Sequence, residues 1–80
     1  MTTVSVTLGA DLHARPAAAI ADRALAGPTP VSLATPTGTI DAASVLALMA
    51  ADLHAGDDVT ITAADPVLCD DIAALLRSPS

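Results

Sequence analysis

An α+β fold of two layers, with helices packed on one face of a small sheet, is the architecture this sequence predicts. Three observations carry the prediction. Val4-Ser5-Val6-Thr7-Leu8 and Val59-Thr60-Ile61-Thr62 alternate apolar and hydroxyl side chains, the period of half-buried strands. Other segments place apolar residues at helical spacing, entered through proline, serine or aspartate and left through glycine. Between them, the β-prone residues around Val31 and Leu33 run into Thr35-Pro36-Thr37-Gly38, which has the chemistry of a turn.

In chain order, the first strand breaks at Gly9-Ala10-Asp11. A helix follows over residues 15–26, with Pro16 in the first turn, where a missing N–H is not missed. Ala17, Ile20, Ala21, Ala24 and Leu25 form its apolar face, and Gly27-Pro28 ends it. Residues 30–34 and 39–41 are the arms of a hairpin, and prolines 30 and 36 suit strand ends. The spacing predicts a helix over 44–53, with Ser44 as N-cap and Gly56 shortly past the end. A strand over 58–63 precedes a last helix with Asp65 as N-cap, Pro66 at its first position and Leu68, Ile72, Leu75 and Leu76 apolar. The order is β-α-β-β-α-β-α, and helices on one face of the sheet give the two layers.

Eighty residues make one domain, spanning 1–80 with only Ser78-Pro79-Ser80 as a tail. A chain this short buries only about 60% of its unfolded surface. The hydrophobic fraction of 52% suffices for a core, but Phe, Tyr and Trp are absent, so aliphatic side chains and alanines must fill it. The net charge of −6 and the three basic residues exclude the basic patch that nucleic acid requires. Base stacking lacks an aromatic platform, and anionic membrane surfaces would repel the chain. No apolar stretch is long enough for membrane insertion. The single cysteine, Cys69, excludes an internal disulfide and reads as a small buried hydrophobe. Met1-Thr2-Thr3 shows no secretory signal, so a cytoplasmic location is expected.

Chemistry concentrates in Leu12-His13-Ala14-Arg15-Pro16-Ala17-Ala18. The helix that starts here points its first backbone N–H groups, and the positive end of its dipole, at the region of His13. Arg15 adds a permanent cation whose planar fork of donors suits phosphate oxygens. A histidine so placed is a seat for a phosphoryl group. With two histidines and no cysteine cluster there is no metal site, and no cofactor is implied. His54 reads as a favourable charge near a helix C-terminus, and Asp57-Asp58 and Asp70-Asp71 as solvated surface.

These segments resemble HPr, the histidine-containing phosphocarrier family of the bacterial phosphoenolpyruvate:sugar phosphotransferase system. Leu12-His13-Ala14-Arg15-Pro16-Ala17 matches the family's active-site motif. Asp41-Ala42-Ala43-Ser44-Val45-Leu46-Ala47-Leu48-Met49 is similar to its regulatory-serine segment, and Leu53 to Ala63 looks like its fourth strand with the approach. The resemblance implies an open-faced β-sandwich, a four-stranded antiparallel sheet covered on one face by three helices. It implies a carrier, not an enzyme, in which His13 takes a phosphoryl group on Nδ1 (a pros-phosphohistidine) from enzyme I and hands it to IIA domains of sugar permeases. It assigns Arg15 to the same motif and Ser44 to the position that an HPr serine kinase modifies in some bacteria.

Leu12, Ala14, Val45, Leu46 and Met49 form the expected partner surface. Five apolar residues, Val45, Leu46, Leu48, Met49 and Leu53, wrap too far round a short helix for one sheet face to bury. Two departures stand out. Asp11 replaces the family's usual glycine, where a carboxylate repels a phosphoryl group unless turned away or used as a cap. The family's docking lysines are missing, with Asp22, Leu25 and Ala43 at the matching positions, so docking on enzyme I is expected to be mostly apolar. The alternatives are an HPr-like subunit of a phosphoenolpyruvate-dependent dihydroxyacetone kinase or regulatory phosphorelay and, from another class, a non-catalytic small binding module.

Overall fold

Alternation along the strands sorts the sheet into one apolar and one polar face, and the computed structural model, which describes residues 1–77, shows what covers each. The elements are β1 (Thr2–Thr7), α1 (Ala14–Ala26), β2 (Val31–Thr35), β3 (Gly38–Asp41), α2 (Val45–Ala50), β4 (Asp58–Ala63) and α3 (Pro66–Arg77). The Ser78-Pro79-Ser80 tail lies outside the described residues. The strands lie in the order β1-β4-β2-β3, and every pairing is antiparallel.

Register places the inward side chains opposite one another. Val6 faces Val59, Val4 faces Ile61, Leu33 faces both Ile61 and Ile40, and Val31 faces Ala63. Against them pack Ala17, Ile20, Ala21 and Ala24 of α1 and Leu68, Cys69, Ile72, Ala73 and Leu76 of α3, with Leu48 the buried residue of α2. Small alanines let the helices approach closely, and the open hand of the hairpin is made by Gly38 at φ 142, where a side chain would be strained. The other face carries Thr3, Ser5, Thr7, Ser32, Thr39, Thr60 and Thr62. There the hydroxyls of Ser5 and Thr60 lie 3.4 Å apart and Thr7 Oγ1 donates to Asp58 at 2.6 Å.

Two expected helical features differ. Leu25 is 69% exposed rather than part of the α1 face, because it falls at the edge of the buried stripe next to the helix end. The second helix stops at Ala50, well short of Leu53: Asp52 turns into the left-handed region at φ 53, which aspartate tolerates better than most residues. Leu53 is buried all the same, delivered to the core by the loop. Several aspartates also have partners rather than water alone. Asp71 receives Arg23 Nη2 at 2.6 Å and Nε at 2.9 Å, tying α1 to α3, and Asp57 accepts the His54 N–H at 2.9 Å.

Candidate phosphoryl site

The loop between β1 and α1 is held from three sides before it reaches His13. Leu8 N donates to Asp57 O at 2.9 Å, and Gly56 N returns a bond to Leu8 O at 2.9 Å. Gly9 runs against the end of α3, so closely that a Cβ there would stand 2.1 Å from Arg77 O. Leu12 N donates to Leu53 O at 3.0 Å, and the Leu12 side chain enters the core. Leu12, expected on the partner surface, has its side chain buried instead. At 7% exposure it anchors the neighbouring His13 by burial, because the loop turns its apolar side chain inward to exclude water.

His13 is the N-cap residue of α1, with φ −94 and ψ 176, and its side chain makes no capping hydrogen bond. Its carbonyl accepts the first helical bond from Ala17 N at 3.1 Å. Pro16 has no N–H, so the donors left open at this helix start are those of Ala14 and Arg15, and among the described residues no hydrogen bond uses them. The side chains of His13, Ala14 and Arg15 are all exposed. An exposed imidazole, two unpaired amides and an exposed guanidinium thus come from three consecutive residues at one helix start, a set whose chemistry suits an oxyanion.

The Asp11 carboxylate is engaged by the loop at residues 54–55. Its Oδ1 accepts the Ala55 N–H at 2.9 Å and lies 3.7 Å from His54 Nδ1. The Ala55 N–H, followed by the imidazoles of His54 and His13, holds its carboxyl below the ordinary aspartate value. His54 does not sit at a helix C-terminus as the longer helix would have placed it. Its Nε2 lies 3.2 Å from Asp52 Oδ1, and Asp52 first, then Asp11 and Asp57, raise its pKa above 6.5. Nothing in the sequence pairs Asp11 with a residue more than forty positions later; only the folded loops do. Among the described residues no group of three metal-ligating side chains could hold an ion.

On α2, the Ser44 Oγ accepts the Ala47 N–H at 3.1 Å, the N-cap the sequence predicts. Leu46 is 84% exposed, Met49 42% and Val45 38%, so these three make an apolar surface that the core does not absorb. No described helix is long and apolar enough to cross a membrane.

Solved structures share this fold. The histidine-containing phosphocarrier protein of a Mycoplasma superposes with a TM-score of 0.76 at 22% identity, covering 94% of this chain and 86% of its own. The HPr-C-His protein of Thermoanaerobacter tengcongensis gives 0.75 at 22% identity, covering 95% and 86%. The phosphocarrier protein HPr of Bacillus anthracis gives 0.79 at 22% identity, covering 95% and 96%. No curated protein sequence matches the chain. The family model described as the PTS HPr component phosphorylation site matches residues 1–78, and the chain belongs to that family of phosphocarriers.

Proposed function

We propose that His13 is the phosphoryl acceptor and that the chain shuttles the group from enzyme I to IIA domains of sugar permeases in the cytoplasm. The observation that carries this reading is the helix start at His13, exposed and left without a side-chain cap. The neutral imidazole attacks phosphorus with the Nδ1 lone pair while Nε2 keeps its proton. The bond from phosphorus to the donor breaks, and that electron pair leaves with the donor. Such transfer asks the protein for positioning and charge stabilisation rather than covalent help. Arg15 and the open amides of Ala14 and Arg15 supply both in the phosphorylated state. Onward transfer reverses the step, with the acceptor domain as the nucleophile.

Val45, Leu46 and Met49, together with the exposed Ala14, are the docking surface in this reading, apolar where other members use lysines. Ser44 borders it, and a serine kinase acting there would add a dianion to the surface partners must cover. Incubation with enzyme I and phosphoenolpyruvate tests the reading by intact mass. One phosphate that is lost in acid and kept in base is expected, because a phosphoramidate behaves so and a phosphoserine does not. No adduct would leave a binding module. Supplying IIA domains or dihydroxyacetone kinase subunits as acceptors separates sugar transport from the kinase alternative.

A further inference from the structure

His54 reaches the neighbourhood of the acceptor through the pairing of two loops. Leu12 N donates to Leu53 O and Asp11 Oδ1 accepts from Ala55 N, so the residues leading to His13 lie alongside 53–55. The His54 ring then stands between carboxylates from two different segments, 3.2 Å from Asp52 Oδ1 through Nε2 and 3.7 Å from Asp11 Oδ1 through Nδ1. A neutral imidazole has one N–H and can serve only one of them; the imidazolium serves both. The charged and titratable groups around His54 are Asp52 after α2, Asp57 before β4, and Asp11 with His13 in the loop entering α1.

Asp11 lies within electrostatic reach of His13, and an anionic cluster that includes it raises the energy of a site that must admit a dianion. We propose that His54 is a positioning residue of the phosphoryl site, which as imidazolium offsets part of the charge of Asp11 and Asp52 and clasps the two loops. The inference rests on the reading of His13 as acceptor. It gives the chain its own answer to an aspartate placed just before the phosphoryl motif. The same carboxylates raise the pKa of His54, Asp52 first, which extends the imidazolium towards neutral pH. The clasp is therefore complete below the ordinary histidine value and is lost as pH rises through the raised one. All these groups are exposed, so the effect on rate is that of surface charges, roughly 2–5-fold at low salt and less when screened.

The test measures the rate of phosphate uptake on His13 from phosphorylated enzyme I, by quench and intact mass, across the histidine pH range. The chains compared are wild type, His54→Gln, His54→Lys, and His54→Gln combined with Asp11→Asn and Asp52→Asn. Reading ratios to His54→Gln cancels the pH dependence that all the chains share. The wild-type ratio is expected to stand roughly 2–5-fold above one at low pH and to fall to one at high pH. The His54→Lys ratio should stay high throughout, and the triple variant should reach at least the low-pH wild-type ratio at every pH. A wild-type ratio of one at every pH, or His54→Lys as slow as His54→Gln, overturns the proposal while leaving His13 as acceptor. No phosphate on the wild-type chain overturns the phosphocarrier reading and this inference with it.

Discussion

Two helices of this chain start at residues read as phosphate acceptors, and they start differently. At Ser44 the hydroxyl already accepts the Ala47 N–H, as Asp65 Oδ1 accepts Val67 N at 2.9 Å at the head of α3. At His13 no side chain closes the helix, and the third residue, Pro16, removes one donor without filling the rest. A capped start contributes to stability and has little left to offer a ligand. An open start gives up that contribution and keeps its amides for an oxyanion. The open start must then be fixed by other means, which here are the buried Leu12, its bond to Leu53 O and the close pass of Gly9 along Arg77.

The comparison breaks most sharply at His13. His13→Ala should abolish uptake of acid-labile phosphate, read by intact mass, while changing unfolding free energy by no more than about 0.5 kcal/mol, since no cap is lost. A loss of a full cap's worth would mean the imidazole was closing the helix after all. Gly9→Ala probes what replaces the cap. Its Cβ meets backbone rather than a movable side chain, so urea denaturation should show a loss of about 1–3 kcal/mol. Leu46→Asp or Met49→Asp should slow uptake from enzyme I roughly tenfold without unfolding the chain. Raising the salt should slow it less, because an apolar docking surface is little screened. Last, Ser44→Ala should lower stability by about 1 kcal/mol and leave His13 phosphorylation in place. Unchanged stability would make the two helix starts equivalent.

Much of the fold was legible because its signals are local. The β-α-β-β-α-β-α order follows from alternation, proline and glycine, and the caps at Ser44 and Asp65 follow from residue type beside a helical run. The motif around His13 was legible for the same reason, as a proline-led helix start next to a histidine and an arginine. What escaped depends on contacts between distant segments. Leu46 and Leu12 are both leucines in promising places, yet the loop pairing with Leu53 buries one, and the short α2 leaves the other in water. The early end of α2 turns on one backbone angle at Asp52, in a stretch where alanine and leucine periodicity argues for continued helix. The orientation of Asp11 depends on an amide forty-four residues away.

A core packed without a single Phe, Tyr or Trp has a spectroscopic consequence. The chain carries no intrinsic fluorophore, and its buried methyls lack the ring currents that normally spread their resonances. His13 and His54 carry the only aromatic rings in the sequence, so once amide protons are exchanged in heavy water the aromatic region of a proton spectrum should hold the signals of these two imidazoles and little else. Unlabelled protein, titrated in a tube, would therefore report at once on the proposed phosphoryl acceptor and on the histidine held between the two loops.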